Sequence, residues 1–222
     1  MAFLIAIEGP DTAGKSTQVQ LLAEYLHEEG EQVVTLHFPN EFSPFGQMIQ
    51  EMLKGKVTIQ TPQEVAAMQM TYMADFLMLQ STIEDYLSQG IYVILDRYTY
   101  SNYIYGSALV TEHRQETLKS FEEARDVDRF LSLAITSLPV RKPDVLCVLT
   151  LPYEEVKRRK SELDMIESND ALMDRVCRFY ARPPLEKFRR HFVNGQFKFI
   201  DATQSVENIH EIIKSEVLSK CL

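Results

Sequence analysis

One segment near the start of the chain carries residue types that bind phosphate. Residues 9–16, which we call the phosphate loop, are Gly-Pro-Asp-Thr-Ala-Gly-Lys-Ser and fit the pattern G-x-x-x-x-G-K-[ST]. The backbone N–H groups of such a loop can surround phosphate oxygens, while Lys15 adds a cation and the Ser16 hydroxyl can ligate Mg²⁺. The loop follows an apolar run typical of a strand and precedes a helical pattern, whose N-terminus adds positive charge. The sequence therefore predicts a nucleoside triphosphate site here.

A second charged pair, Asp96 and Arg97, ends a later apolar run, residues 91–96. An aspartate at the carboxyl end of a strand near the phosphate loop can hold the water shell of the metal, and the adjacent arginine can bind a second phosphate. The chain contains neither the Asn-Lys-x-Asp motif of a GTPase nor the apolar strand ending in Asp-Glu of a motor ATPase. This pattern predicts phosphoryl transfer between two phosphorylated molecules.

Three segments of the chain resemble the thymidylate kinase family. Residues 8–17 are similar to its E-G-x-[DE]-x-x-G-K-[ST]-[ST], and residues 96–101 are similar to its D-R-[YHF]-x-x-S. Residues 162–167 resemble the lid segment of the family, and Phe38-Pro39 is a weaker similarity. The resemblance implies a P-loop NTPase fold, transfer of the γ-phosphate of ATP to dTMP with Mg²⁺, and a homodimer.

The resemblance also implies roles for the matching residues. Lys15 would hold the β- and γ-phosphates of the donor, and Arg97 would hold the acceptor phosphate. Asp11 would contact the 3′-hydroxyl of the acceptor sugar, and Tyr105 would crowd its 2′ position and so favour deoxyribose. Ser16 and Asp96 would position Mg²⁺. The remaining implied ATP-binding residues are Gly9, Thr12, Ala13, Gly14 and Thr17, and the remaining implied acceptor-binding residues are Phe38, Pro39, Tyr72, Phe76 and Ser101.

The catalytic cation expected over the transferring phosphoryl group has no candidate inside the phosphate loop. Residues 10–13 include no Lys or Arg, whereas residues 157–160 read Lys-Arg-Arg-Lys. A cation is needed because negative charge spreads over the oxygens of the phosphoryl group in the transition state. The sequence predicts that Arg158, or in second place Lys160, closes over the phosphates; otherwise this run is a solvated basic helix face.

The chain departs from the family pattern at the acceptor site. Where an Arg usually contacts the base, one helical turn after the stacking aromatic Tyr72, this chain has Phe76, which cannot donate a hydrogen bond. Phe76 either flanks the base or packs in the core. The family sequence Tyr-Gln-Gly is replaced by residues 105–107, Tyr-Gly-Ser, and residues 40–41 are Asn-Glu where many relatives have an Arg.

These departures leave several functions open. Phosphorylation of dTMP is the leading prediction, and a relaxed or shifted pyrimidine deoxynucleotide acceptor such as dUMP is the alternative. A deoxynucleoside kinase would leave Arg97 without its phosphate partner. An inactive nucleotide-binding module would not need the intact set of Lys15, Ser16, Asp96 and Arg97.

Apolar runs of strand length alternate with helical patterns, which predicts one α/β domain, residues 1–222, with a five-stranded parallel sheet flanked by helices on both faces. The lid segment is expected at about residues 152–168. The predicted strands are residues 3–8, 32–38, 91–96, 144–151 and 197–201. The predicted helices are residues 14–29, 44–54, 62–89, 114–138, 152–160, 169–181, 185–194 and 206–219.

Composition limits the class of partner. The chain of 222 residues has a net charge of −9, which disfavours binding to a nucleic-acid polymer or an anionic membrane but allows small nucleotide substrates. Three cysteines without metal-binding spacing indicate reduced thiols. No apolar stretch approaches the ~20 residues of a membrane span, and the N-terminus lacks signal-peptide features. We therefore expect a cytoplasmic protein.

Overall fold

The structure is a computed structural model that describes residues 2–56, 59–112, 118–159, 169–183 and 189–221. The lid-like segment 162–167 and Lys160 lie outside the described residues. The first residues of two predicted helices, 114–117 and 185–188, lie outside them as well.

Five parallel strands form one sheet in the order β2-β3-β1-β4-β5, which confirms the predicted fold class. Every predicted strand is present, with ends that differ by one residue at most. β1 and β3 are buried along their whole length, as expected for strands covered on both faces. The strands are β1 (Leu4–Glu8), β2 (Val33–His37), β3 (Tyr92–Asp96), β4 (Val145–Thr150) and β5 (Gln196–Asp201).

The pairing of β1 with β3 determines where the functional loops lie. Ile7 of β1 is in register with Asp96 of β3, and Asp96 is also in register with His37 of β2. Parallel strands end at the same edge of a sheet, where ligands of open α/β folds bind. The phosphate loop and Arg97 therefore leave neighbouring strands side by side.

Helices flank this sheet. α1 and α10 contact each other, while α5 contacts α3, α6 and α8. The helices are α1 (Lys15–Glu28), α2 (Pro44–Leu53), α3 (Pro62–Met78), α4 (Gln80–Ser88), α5 (Thr99–Glu112), α6 (Leu118–Ser137), α7 (Tyr153–Arg159), α8 (Asp170–Ala181), α9 (Arg189–Phe192) and α10 (Val206–Cys221).

The prediction of one helix from residue 62 to residue 89 was wrong at its centre, because α3 ends at Met78 and α4 begins at Gln80. The start is as predicted, with Thr61 and Glu64 forming a capping box. At the break, the Gln80 side chain donates to the Phe76 carbonyl at 2.7 Å and to the Tyr98 hydroxyl at 3.0 Å. It also accepts from the Arg141 N–H at 2.7 Å. The hydrogen bonds of Gln80 with Tyr98 and Arg141, which are distant in sequence, thus accompany the interruption of the regular helical hydrogen bonds.

α5 was not predicted from the sequence. Its residues from Thr99 to Val110 are buried apart from the half-buried Tyr105, so the helix has no polar face and no amphipathic period. Several of them are aromatic, β-branched or small polar residues with weak helix propensity. Tertiary packing, rather than local preference, makes this segment helical.

Among the described residues, no helix is both long and apolar enough to cross a membrane.

Gly46 allows α2 to approach the segment that follows β2. A Cβ atom at this position would lie 1.9 Å from the Asn40 carbonyl oxygen. The Asn40 N–H donates to Asp75 on α3 at 2.8 Å, and Ser43 donates to the same carboxylate. The segment is therefore held on both sides and cannot easily move away.

We expect Gly46→Ala to lower the free energy of unfolding by about 1–3 kcal/mol, because the added methyl forces this held backbone apart. Met48→Ala, on the exposed side of the same helix, is the control and should change it by less than about 0.5 kcal/mol. Urea titration of the two variants and the parent chain measures both effects. Equal stability of all three would contradict the close approach.

Candidate active site

The phosphate loop adopts a conformation that directs its backbone N–H groups to one point. Gly9 and Gly14 have φ of +151° and +89°, and Thr12 has φ of +60°. A Cβ atom at Gly9 would lie 2.7 Å from the Leu149 carbonyl oxygen, so only glycine fits there. Gly14 precedes α1 without a side-chain cap, which leaves the first N–H groups of the helix available to an anion.

Lys15 is buried behind this loop. Its ammonium group donates to the Pro10 carbonyl at 2.8 Å and lies 3.8 Å from the Asp11 carboxylate. Burial, and to a smaller extent the nearby Arg97, lowers the pKa of Lys15 to about 8, against the opposing effect of Asp11. A phosphate in the loop would supply the negative charge that this buried cation needs.

Asp96 and Ser16 lie together at the base of the loop. The Ser16 hydroxyl donates to Asp96 Oδ2 at 2.6 Å, and His37 Nδ1 lies 3.6 Å from the same oxygen. Burial alone would raise the pKa of Asp96, but His37, Lys15 and Ser16 together lower it, so the carboxylate stays ionised. Asp96 Oδ1 is buried and has no hydrogen-bond partner among the described residues. The Ser16 hydroxyl and the Asp96 carboxylate, whose Oδ1 has no partner there, are the kind of oxygen ligands that Mg²⁺ prefers.

Arg97 turns back toward the phosphate loop. Its backbone lies in the left-handed region, with φ of +69°, which costs energy for a residue other than glycine. The guanidinium donates to the Gly9 carbonyl at 3.2 Å and forms a partly buried ion pair with Asp11. The two predicted phosphate-binding cations, Lys15 and Arg97, therefore both pair with the Asp11 carboxylate.

Glu8 holds the start of α5 beside the phosphate loop. Its buried carboxyl accepts from the Tyr98 N–H at 2.8 Å and the Ser101 N–H at 3.1 Å, and also from the Ser101 hydroxyl. The Ser101 hydroxyl lies 2.7 Å from the Tyr180 hydroxyl on α8. The sequence motif includes Glu8, but sequence analysis assigned it no role, and it missed Tyr180 altogether.

A cavity opens next to Arg97, and the structure brings all predicted acceptor residues to its wall. Asp11, Phe38, Pro39, Tyr72, Phe76, Arg97, Ser101 and Tyr105 line it. We call this space the acceptor cavity. Its wall also includes Gln69, Tyr98 and Asn102, which sequence analysis missed. The signal for Gln69 and Asn102 was weak, because isolated amides on helices carry no motif.

Phe76 both packs in the core and borders the acceptor cavity. It is 1% exposed, and its ring centroid lies 4.9 Å from that of Phe38 and 5.2 Å from that of Tyr98. Tyr72, one turn earlier on α3, is half-buried at the cavity wall. Tyr105 also lines the cavity, and its hydroxyl donates to Asp11 Oδ2 at 3.1 Å.

The basic run of α7 does not present its arginines equally to the phosphate loop. Arg158 is exposed and donates to Glu155 at 2.6 Å. Arg159 lies 3.8 Å from the same carboxylate but also donates to the Thr12 carbonyl at 3.4 Å and the Ala202 carbonyl at 3.0 Å. The role of Arg158 stays a prediction, and Arg159 is a candidate that sequence analysis did not single out.

Two of the predicted ATP-binding residues differ in exposure. Ala13 is buried inside the phosphate loop, and Thr17 is exposed on α1.

These features define a class of protein: a P-loop phosphotransferase with a second cationic pocket facing its phosphate loop. Residues 7–213 match the sequence model described as "Thymidylate kinase". The chain therefore belongs to the thymidylate kinase family and is an ATP-dependent nucleoside monophosphate kinase.

Individual relatives agree with the family assignment. The chain is 28% identical to the Plasmodium falciparum thymidylate kinase, over 96% of this chain and 88% of that protein. It is 27% identical to the human enzyme, over 95% and 87%. The solved structure of the Candida albicans thymidylate kinase is similar in fold, with a TM-score of 0.76 and 23% identity over 98% of this chain and 92% of that one.

We expect Glu8 to make stability depend on pH. Burial raises the pKa of the folded carboxyl from 4.5 to about 7, so between these values the folded chain binds a proton that the unfolded chain has lost. The resulting stabilisation is present below pH 4.5 and is lost as pH rises through 7, a difference of about 3 kcal/mol at most. Urea titrations across this range should show a smaller fall in stability for Glu8→Gln.

Glu28→Gln, at an exposed position of α1, is the matched control and should follow the pH profile of the parent chain. Parallel profiles for the parent chain and Glu8→Gln would contradict the raised pKa.

Arg158→Ala and Arg159→Ala distinguish the two candidate lid cations. Because Arg159 contacts the phosphate loop and Arg158 is paired with Glu155, we expect Arg159→Ala to lower kcat by about a hundredfold, as for loss of one transition-state donor. Arg158→Ala should have the smaller effect. Steady-state ADP formation at saturating ATP measures both, and a larger loss in Arg158→Ala would favour the prediction from sequence.

Proposed function

We propose that this protein transfers the γ-phosphate of ATP to dTMP, giving ADP and dTDP. One observation carries the proposal: the Arg97 guanidinium points from the end of β3 into the gap beside the phosphate loop, where it meets Asp11 and Gly9. A phosphate held by Arg97 would thus lie next to a phosphate held by the loop. This arrangement supports direct transfer in line, without a covalent enzyme intermediate.

The donor half uses the phosphate loop. Its N–H groups and Lys15 would bind the β- and γ-phosphates, and Ser16 and Asp96 would hold Mg²⁺, which offsets the phosphate charge when bound. In the transfer step, an oxygen of the acceptor phosphate bonds to the γ-phosphorus as the bond to the β,γ-bridging oxygen breaks. The electron pair leaves on ADP, and Lys15 with a lid arginine stabilises the oxygens of the moving group.

The acceptor half uses the acceptor cavity. Arg97 would bind the 5′-phosphate, and Asp11 would accept from the 3′-hydroxyl of the sugar. Tyr105, which already donates to Asp11, would lie against the 2′ position and disfavour ribose. Tyr72 and Phe76 would flank the pyrimidine, whose flat apolar faces suit an aromatic wall.

A broader acceptor range is the second candidate. Phe76 offers no hydrogen bond to a base, and the related Candida albicans structure is described as revealing the origin of broad substrate specificity in that enzyme. Phosphorylation of dUMP or another pyrimidine deoxynucleotide follows from the same site. A deoxynucleoside kinase has less support, because the partly buried Arg97 beside the phosphate loop suits an acceptor that carries a phosphate.

We further propose a single kinase domain over residues 1–222, a lid at about residues 152–168, a homodimer and a cytoplasmic location. Exposed apolar side chains on α3 and α6 support the dimer: Met70, Met78, Phe130 and Leu133. α3 and α6 contact each other, so these residues belong to neighbouring helices. Burying them against a second copy would remove apolar surface from water.

An ATP-consumption panel over dTMP, dUMP, dCMP, dGMP, dAMP and their ribose forms tests the proposal. We expect acceptor-dependent ADP formation that is fastest with dTMP.

Lys15→Ala should lower kcat by about a thousandfold, because a positioned cation at the transferring group is lost. Lys54→Ala, at an exposed position on the surface, is the control and should keep the parent rate. ATP binding without turnover of any monophosphate would refute the proposal.

A further inference from the structure

His37 lies between the two halves of the proposed site. It is the last residue of β2, and its neighbour in register on β3 is Asp96. Because residues paired in register on neighbouring strands place their side chains on the same face of a sheet, the imidazole lies beside the Asp96 carboxylate. His37 lines the acceptor cavity, and it also lines a second cavity, which we call the β2 cleft. The wall of the β2 cleft includes Ser16 and Asp96 as well.

Three polar groups meet in the β2 cleft. Asp96 Oδ2 accepts from the Ser16 hydroxyl at 2.6 Å and lies 3.6 Å from His37 Nδ1. Two ligands that are each about 2.1 Å from one metal ion lie about 3.0–3.4 Å apart at octahedral to tetrahedral angles. The separation of His37 Nδ1 from Asp96 Oδ2 is therefore close to that of two ligands of the same ion.

The exposure of these side chains suits a ligand that turns toward an ion. The His37 side chain is 56% exposed, whereas the Asp96 side chain is 7% exposed and is already held by Ser16. Among the residues that the structure describes, no three His, Cys, Asp or Glu side chains form a group that could hold a metal ion by themselves. An ion beside His37 and Asp96 therefore needs further ligands, and phosphate oxygens in the phosphate loop can supply them.

We propose that His37 is a nitrogen ligand of the divalent cation that Ser16 and Asp96 hold, and that it gives this site a preference for Co²⁺ and Mn²⁺ over Mg²⁺. Mg²⁺ selects oxygen ligands, whereas the affinity of imidazole-containing sites for the first-row transition ions rises from Mn²⁺ to Co²⁺. The inference rests on the proposed donor half of the site. Its tests measure metal binding without an acceptor and without turnover, so a result against His37 leaves the proposed transfer reaction intact.

Pulsed electron paramagnetic resonance of bound Mn²⁺ identifies the ligand in the parent chain. The protein is loaded with Mn²⁺ and tripolyphosphate, which supplies phosphate oxygens and contains no nitrogen, so a nitrogen bound to the ion belongs to the protein. We expect modulation from a coordinated ¹⁴N, and its replacement by the ¹⁵N pattern when the histidines are labelled with ¹⁵N. Bound Mn²⁺ without a coordinated histidine nitrogen would overturn the inference.

His37→Leu assigns the nitrogen to one residue, since it removes the imidazole and keeps a side chain of similar size. With tripolyphosphate present, we expect the Kd for Co²⁺ to rise by about tenfold or more, because even groups that contact only the ligands of a metal change its affinity by that factor. The Kd for Mg²⁺ should rise by less than about threefold. His27→Leu is the matched control and should leave both constants unchanged, because His27 lines the same cleft about three turns along α1 from Ser16.

A contribution of His37 through its charge alone predicts a different result, namely an equal change in the affinities for Co²⁺ and Mg²⁺ in His37→Leu; that result would contradict the inference. His37 is exposed on the edge strand β2, so the variant should fold, and the ¹⁵N measurement on the parent chain decides without it. Absence of Mn²⁺ binding by the parent chain with tripolyphosphate would refute the proposed donor half of the site, and the inference with it.

Discussion

The parallel pairing of β1 with β3 is the constraint on which the site depends. The register of Ile7 with Asp96 makes the chain leave both strands at the same edge, with the phosphate loop on one and Arg97 on the other. Glu8 reinforces this adjacency, because one buried carboxyl accepts from Tyr98 and Ser101 at the start of α5. Two cationic groups from distant parts of the sequence are thereby held around one gap, which is the geometry that transfer between two phosphates requires.

Much of this arrangement could be predicted from the sequence. The strands are nearly continuous apolar runs, and the phosphate loop has a motif whose glycines and lysine serve a local purpose, so both were placed correctly. α5 escaped prediction because it is buried on almost every side and has no amphipathic period. The break at Leu79 depends on bonds from Gln80 to Tyr98 and Arg141. Contacts of this kind join segments far apart in sequence and leave no periodic pattern.

The acceptor cavity shows the same division between local and distant information. Its predicted residues all line one cavity, and each was found by its correspondence to a position of the family pattern. The structural effect of the residues that depart from the family pattern, Phe76 and Gly106, could be seen only in the structure. Phe76 joins an aromatic cluster with Phe38 and Tyr98, and Gly106 matters through the space it leaves for a side chain from another helix. Substitutions that look independent along the chain are neighbours in the cavity.

The ion pair between Asp11 and Arg97 has a further consequence for how a nucleotide enters. Arg97 is partly buried and already paired with the Asp11 carboxylate, so a phosphate that binds to Arg97 would replace an existing anionic partner. The number of buried charges changes little in such an exchange, and much of the desolvation cost of the arginine is met during folding. Under the proposed function, nucleotide entry would exchange one partner of Arg97 for another: the acceptor phosphate would replace Asp11, and Asp11 would be released toward the sugar hydroxyl.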